Sequence, residues 1–179
     1  MKSVKKVKGF TMVELIVVMA ILAVLCGVIV PNVFAWLRDS KLKTCNSQAK
    51  VVFNSAVTVL QDYQLEGRVS QITTTDGVIA IEKGDSNVAT PTITAKLGSN
   101  FGENSVWYVK ATASNVNDKN LNTIRVDSAL FADNNTAVCI GRYPVPANQY
   151  STGGNFDTVK GAVSTADDSI SDAIYDSTK

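Results

Sequence analysis

The sequence predicts an α+β protein in which one long amino-terminal helix packs on a small antiparallel sheet. Two observations predict this fold class. Apolar residues run from residue 10 to residue 37 and then continue as a helical stripe to residue 65, and short β-branched runs separated by turn residues follow. The length of 179 residues and the apolar content of 45% fit one domain with a core of ordinary size.

Composition excludes several classes of function. The chain has no histidine, so Ser-His-Asp and Cys-His catalysis and histidine-ligated metal sites are ruled out. A net charge of +1 gives no overall field for nucleic acid. We therefore expect a non-enzymatic protein without a cofactor, a metal or a nucleic-acid partner.

Residues 10–37 form a nearly uncharged segment whose one charge is Glu14. As a helix they would rise roughly 42 Å, more than the ~30 Å of a bilayer core. The lysines that precede them keep the amino terminus in the cytoplasm by the positive-inside rule: Lys2, Lys5, Lys6 and Lys8. A single-pass membrane segment follows; a plain anchor and a secretory signal cut after Ala35 are the alternatives.

The carboxylate of Glu14 needs a partner, because a lone acid inside an apolar helix is costly. The helix itself offers no cation. If the chain were cut between Gly9 and Phe10, the new amine would lie one helical turn from Glu14. In an assembly of parallel helices, the amine of one copy could pair with Glu14 of the next and set their stagger.

A short basic leader and about twenty following apolar residues flank the motif Lys8-Gly9-Phe10-Thr11-Met12-Val13-Glu14-Leu15. This segment resembles the class III prepilin signal of type IV pilins and related pseudopilins. The resemblance covers about residues 1–60. It implies a type IV pilin-like fold, removal of residues 1–9 by a membrane prepilin peptidase, N-methylation of Phe10, and Glu14 as the assembly residue.

The resemblance also implies where the protein is localised, how it assembles and which partners it has. The precursor would lie in the inner or cytoplasmic membrane and then polymerise into a helical pilus on the cell surface, for adhesion, motility or DNA uptake. The implied partners are other copies of the chain, the peptidase, an assembly ATPase and a platform protein. A pseudopilin of a type II secretion or competence pseudopilus is the alternative.

Two residues predict a bend within the apolar helix. Pro31 cannot donate a hydrogen bond to the carbonyl of Gly27, and the glycine is itself a poor helix former. The bend would let the helix change shape between bilayer and filament.

Residues 38–65 are predicted to continue the same helix as an amphipathic segment that ends before Gly67. One face carries apolar residues at spacings of three and four: Leu42, Cys45, Ala49, Val52, Phe53, Ala56, Val59, Leu60 and Tyr63. That face would pack on the globular part of the chain.

Residues 66–147 are predicted to be a globular head with a loop region and an antiparallel meander, and residues 148–179 a polar surface segment. Short apolar pieces at 78–81 and 93–97 indicate loops with one or two strands, and the meander uses runs at 105–111, 123–130 and 137–140. In the second run, Ile124, Val126 and Leu130 would face the helix while Arg125 and Asp127 meet solvent. Within the last segment, Ile170, Ala173 and Ile174 would make one helical turn.

The cysteines leave two alternatives open. Cys26 lies in the apolar segment, whereas Cys45 lies on the helix stripe and Cys139 on a predicted strand. A disulfide between Cys45 and Cys139 would join helix to sheet; two buried free thiols are the alternative.

A rival function from another class is a membrane-anchored binding module for a polysaccharide or host surface. Exposed Trp107 and Tyr108 would supply its stacking surface. Because the two residues alternate along one strand, at least one is expected in the core. The oxygen-rich turn at residues 117–122 contains Lys119 and lacks a bidentate glutamate, so a solvated loop is favoured there over a calcium site.

Overall fold

The computed structural model describes residues 9–72, 77–98, 101–116, 122–136, 139–145 and 156–165. The chain divides into two compact units, residues 1–39 and residues 40–179. The first unit contains the apolar beginning of the long helix. The described residues of the second contain the rest of that helix, a short 3-10 helix at Val69–Gln71, a sheet and two further α-helices.

The long helix α1 spans Met12–Leu65, 54 residues, and starts two residues after the predicted first residue, Phe10. Its end lies where the sequence places it. Gly67 has φ +66°, its N–H donates to the Gln64 carbonyl, and the N–H of Arg68 donates to the Tyr63 carbonyl. This pair of bonds is a Schellman motif, which satisfies carbonyls at the helix end and favours glycine at the left-handed position.

Four strands form an antiparallel sheet in the order β1-β2-β3-β4, which confirms the meander. They span β1 Val78–Glu82, β2 Val106–Ser114, β3 Thr123–Ala132 and β4 Ile140–Tyr143. Each neighbouring pair is antiparallel, with registers that join Ile81 to Val109 and Val109 to Ala129. The predicted runs at 105–111 and 123–130 therefore correspond to β2 and β3, each of which extends further towards the carboxyl terminus.

The main core lies between the amphipathic part of α1 and one face of the sheet. The helix buries the predicted stripe, with Phe53 partly buried. From the sheet come alternate residues of β1, β2 and β3: Ile79, Ile81, Trp107, Val109, Ala129 and Phe131. Because side chains alternate across a strand, the β-branched runs place their apolar members on this one face.

Residues 93–97 do not form a strand, and this part of the prediction is wrong. They belong to helix α2, Thr90–Leu97, which has Pro91 in its first turn and Gly98 at φ +61° after its end. Ile93 and Leu97, one helical turn apart, are both buried in the main core. Because the two apolar residues are four positions apart, they lie on one face of either a strand or a helix. Packing in the core stabilises the helix.

The last strand begins later than predicted. The run at 137–140 was expected to be the strand, but β4 spans Ile140–Tyr143, and residues 137 and 138 lie outside the described part of the chain. The shift follows from contact with α1. The N–H of Arg142 donates to Asn46 Oδ1 at 3.0 Å, and Phe53 meets the Tyr143 ring edge-on at 4.9 Å between centroids.

Gly141 allows β4 to approach the backbone of α1. A Cβ built at this position would overlap the carbonyl of Cys45 and lie 2.7 Å from the backbone N of Asn46. A side chain therefore has no room here, and the strand lies directly on the helix backbone.

The second face of the sheet meets a helix rather than solvent, contrary to expectation. Helix α3, Phe156–Thr165, buries Phe156, Val159 and Val163 against a cluster that includes Tyr108 and Leu130.

A β-bulge in β3 moves the residues after it to the opposite face of the sheet from the one that strict alternation predicts. Lys110 pairs with Ser128 but Ala111 pairs with Val126, so Asp127 is the extra residue of β3. Ile124 and Val126 pack on the main core, while Leu130 lies on the opposite side.

Polar contacts hold the first residue of α3 and a residue one turn later. The backbone N–H of Phe156 donates to the Asn135 carbonyl at 2.9 Å, and Lys160 Nζ lies 2.6 Å from Glu82 Oε2 of β1. The hydrogen bond to Glu82 is the main cause of a raised pKa at Lys160. Asp133, Asn134 and Asn135 lie in the turn that follows β3, whereas the predicted helical turn at Ile170, Ala173 and Ile174 lies outside the described residues.

Cys45 and Cys139 are joined by a disulfide, with 94 residues of separation and a Cα–Cα distance of 6.5 Å. Both cysteines are buried beside Leu42, and Cys26 is a free cysteine. The bond closes a long loop that contains β1, β2 and β3.

Replacing both bonded cysteines with serine is expected to lower the free energy of unfolding by about 2–4 kcal/mol, because the unfolded chain regains the entropy of the open loop. Denaturant titration of the detergent-solubilised chain measures the change. The matched control is Cys26→Ser, which leaves the loop closed and should unfold like the wild type. Equal stability of the double variant and the wild type would contradict this account.

Candidate functional site

The candidate site is the amino-terminal segment from Gly9 to Leu37, built around the start of α1. Gly9, Phe10 and Thr11 precede the first helical residue, and Phe10 is 82% exposed. A Cβ placed on Gly9 would meet nothing within 4 Å. The peptide bond between Gly9 and Phe10 is thus on an exposed, non-helical piece of chain.

Thr11 and Glu14 form a capping box at the beginning of α1. The N–H of Glu14 donates to Thr11 Oγ1 at 3.2 Å, and the N–H of Thr11 donates to Glu14 Oε2 at 3.4 Å. Each side chain satisfies a backbone donor that has no partner within the helix. Glu14 is therefore the N3 residue of a cap.

Sequence reasoning missed Thr11, although the signal was present. A threonine followed three residues later by glutamate, directly before an apolar run, is the pattern of a capping box. The negative carboxylate at the positive end of a helix is also favourable. The structure thus gives Glu14 a local role within one chain, in addition to any role between chains.

After this cap the helix presents an apolar surface on all sides. Every residue from 12 to 37 is exposed, and the large apolar side chains among them are 42–83% exposed. An 18-residue window within α1 has a mean hydropathy of 3.0, and none of its residues is buried. By length and composition, α1 can therefore cross a membrane. A helix that is apolar all round requires lipid or other protein around it.

Gly27 and Pro31 lie within this apolar part, and the helix continues through both. Directly after the proline, Asn32 Nδ2 donates to the Val28 carbonyl at 3.0 Å, one helical turn earlier in the chain. The bend predicted from these two residues stays a prediction.

The stacking surface expected for a polysaccharide-binding module is not formed by Trp107 and Tyr108. Both are buried, at 2% and 4% exposure, on opposite faces of β2. Burial, with a smaller contribution from Glu82, raises the pKa of the Tyr108 hydroxyl. These aromatic residues are core, and the rival function loses the observation on which it depended.

Of the predicted oxygen-rich turn, residues 117–121 lie outside the described part of the chain, and Asn122 is buried. The described ranges contain no cluster of three or more Cys, Asp or Glu side chains arranged to hold a metal.

Comparison with known proteins finds one family match. Residues 4–30 match the model described as the prokaryotic N-terminal methylation motif. Neither a curated protein nor a solved structure matches the chain. The match covers the exposed segment, the capping box and the apolar helix surface as far as residue 30.

Proposed function

We propose, from the premise that residues 4–30 are the class III signal peptide of type IV pilins and pseudopilins, that this chain is the precursor of a type IV pilus subunit. The motif supports a type IV pilin-like or pseudopilin precursor. We infer a structural role, because chains with this motif are structural subunits. The observation that carries the proposal is the coincidence of this motif with an exposed apolar helix.

Polymerisation would bury the apolar surface of α1. The precursor keeps residues 10–37 in the bilayer, and the filament replaces lipid with the corresponding residues of neighbouring copies. Apolar surface is then never left in water, so the transfer avoids the cost of exposing it. The amphipathic part of α1 stays on its own sheet, so each subunit carries a folded globular unit into the filament.

Glu14 would set the stagger between subunits. After cleavage following Gly9, the amine of Phe10, N-methylated in the mature chain, is the nearest cation that a neighbouring copy can offer to this carboxylate. Pairing compensates the burial of both charges. The free energy gained depends on axial position, so one register between parallel helices is favoured over its neighbours.

The proposed partners follow from this sequence of events. A membrane prepilin peptidase would remove residues 1–9, and an assembly ATPase with a platform protein would drive subunits out of the membrane. The alternative within the same proposal is a pseudopilus of a secretion or DNA-uptake machine. Adhesion and motility remain functions that a surface filament would serve.

Gly9→Val is expected to block maturation, because a β-branched side chain beside the scissile bond hinders close approach of a protease to the backbone. The measurement is the intact mass of the membrane-bound protein, which should stay that of the precursor. Gly27→Val is the matched control, because it makes the same change away from the scissile bond. This variant should still be cleaved, so its mass should be that of a chain that begins at Phe10. A cleaved Gly9→Val chain would contradict the assigned site.

Peptide mass spectrometry of protein sheared from cells tests the function itself. Abundant sheared protein that begins with methylated Phe10 supports a pilus subunit. The same amino terminus confined to membranes favours a pseudopilin or minor subunit. An intact Met1, or a start after Ala35, would overturn the proposal.

A further inference from the structure

The turn that follows β3 contains a motif that the proposed function does not use. Asn134-Asn135-Thr136 has the pattern of an acceptor for N-linked glycosylation, an asparagine followed two residues later by serine or threonine with no proline between them. No other asparagine of the sequence has serine or threonine at that distance. Because such triplets also occur by chance, the surroundings of Asn134 have to show that it is usable.

The position of the turn suits a modification. Residues 133–136 are all exposed and lie outside the strands, directly after the end of β3 at Ala132. A glycan is bulky and hydrated, so the side chain that carries it must lie on the surface. Neither a strand nor a helix of the described residues would have to open for the Asn134 side chain to enter the active site of a transferase.

Asn134 and Thr136 form an Asx turn. The N–H and the hydroxyl of Thr136 both donate to Asn134 Oδ1, each at 3.0 Å. These bonds engage the carboxamide oxygen, whereas Nδ2, the atom that a glycan would join, has no hydrogen-bond partner within the described part of the chain. An Nδ2-linked glycan leaves Oδ1 as an acceptor, so the turn would persist after modification.

The neighbouring Asn135 has the opposite arrangement. Its Nδ2 donates to Asp157 Oδ2 at 2.9 Å, and its carbonyl accepts from the N–H of Phe156 at 2.9 Å. Asn135 thus fixes the beginning of α3 to the turn, and the residue two positions after it is Ala137. Of these two adjacent asparagines, the structure engages the amide nitrogen of the second and leaves that of the first unbonded.

Asn87 offers a comparison within the same chain. Its Oδ1 accepts from the N–H of Ala89 at 3.0 Å, as in the turn at Asn134, but its Nδ2 donates to the Ile72 carbonyl at 3.3 Å. Asn87 is also half-buried, and alanine supplies no hydroxyl at residue 89. What distinguishes Asn134 is therefore the combination of exposure, an unbonded amide nitrogen and the threonine hydroxyl.

The compartment suits the reaction as well. By the positive-inside rule, the residues that follow the apolar segment lie on the far side of the membrane. The disulfide between Cys45 and Cys139 agrees with this placement, because disulfides form and persist in oxidising compartments. Asparagine acceptors of this pattern belong to surface loops of secreted chains.

We propose that Asn134 is the acceptor of an N-linked glycan. In the transfer, Asn134 Nδ2 forms a bond to C1 of the sugar, and a base of the transferase takes the proton that Nδ2 loses. The bond from C1 to a phosphate oxygen of the donor, a lipid-linked sugar diphosphate, breaks at the same time, and the phosphate leaves with the bonding electrons. The modification requires export of residues 40–179 and does not depend on the proposed polymerisation.

Peptide mass spectrometry of the full chain, purified from the cells that naturally produce it, tests the site. Trypsin releases residues 126–142, which contain Asn134 and no other acceptor triplet. We expect this peptide to exceed the mass of its sequence by at least one sugar. Fragmentation by electron transfer, which leaves side-chain modifications in place, should locate the added mass on Asn134. Asn87, in the tryptic peptide 84–96, should carry none.

Four variants of the turn separate the acceptor triplet from the turn itself. Asn134→Gln and Thr136→Val should each abolish the added mass, because each destroys the triplet. Thr136→Ser and Asn135→Gln are the matched controls, since both keep the triplet while the second disturbs the bond to Asp157. Both controls should remain modified. A complete disulfide between Cys45 and Cys139 in every variant verifies that each has folded.

A wild-type peptide with only the mass of its sequence would overturn the proposal. An added mass that persists in Asn134→Gln would do so too, because the glycan would then be on a hydroxyl of the same peptide. Persistence in Thr136→Val, or loss in a folded Asn135→Gln, would likewise contradict recognition of the triplet.

Discussion

Cells that produce Glu14→Ala or Glu14→Gln are expected to make a processed subunit and no filament. The motif around Gly9 is intact in both variants, so the mature amino terminus should still form at Phe10. What is lost is the negative charge inside the apolar segment, where residues 10–37 have no other charged side chain. The amine of a neighbouring subunit would then be buried without a partner, at a cost of several kcal/mol.

The capping box supplies the control for this experiment. Glutamine at N3 can still accept a hydrogen bond from the N–H of Thr11, so Glu14→Gln removes the charge and keeps the cap. Thr11→Val does the reverse, because it removes the hydroxyl that accepts from Glu14 and keeps the carboxylate. We expect Thr11→Val to cost about 1 kcal/mol of helix stability and to leave filaments in place.

Filament yield in sheared material, with the mature mass read from the same cells, measures both effects. Normal filaments from Glu14→Gln would refute charge pairing. Loss of filaments in Thr11→Val, with Glu14→Gln unaffected, would mean that Glu14 acts through the cap alone.

Gly141→Ala is expected to have the largest effect on folding of any single methyl group added to the described glycines. The new Cβ would overlap the Cys45 carbonyl, and both obstructing groups are backbone atoms of α1 that cannot rotate away. Strand β4 would have to leave the helix, which breaks the bond from Arg142 N–H to Asn46 and separates Cys139 from Cys45. We expect a loss of about 4 kcal/mol or more, above the usual cost of overpacking, because the obstructing backbone atoms cannot move aside.

Two measurements check this result on detergent-solubilised protein. Denaturant titration gives the change in free energy of unfolding, and alkylation with mass spectrometry gives the fraction of Cys45 and Cys139 left as thiols, which should rise. The matched control is Gly161→Ala on α3, where an added Cβ has no neighbour within 4 Å and alanine is the better helix former. Wild-type stability and a complete disulfide in Gly141→Ala would contradict the close approach of strand and helix.

The long helix and the middle strands could be predicted because their signals are local. The stripe from Leu42 to Tyr63 repeats over six turns without a breaker, and Gly67 marks its end. The runs at 105–111 and 123–130 are long enough for β-branched and aromatic residues to decide the state. In these segments, local preference and packing agree.

The elements that were missed depend on contacts distant in sequence. Helix α3 contains Gly161 and several serine and threonine residues, all weak helix formers, and is stabilised by packing of Phe156 and Val163 on residues of β2 and β3. The bulge at Asp127 has no local signal, yet it decides which residues of β3 face α1.

The disulfide between Cys45 and Cys139 has a mechanical consequence. If the chain is pulled at its amino-terminal end and at a point after Cys139, the covalent link between Cys45 and Cys139 takes the load. The 94 residues between the two cysteines, which would extend to roughly 310–340 Å as a free chain, contribute no length while the bond is intact. Under tension the strands β1, β2 and β3 are therefore shielded, and the subunit can yield only in the parts of the chain outside that loop.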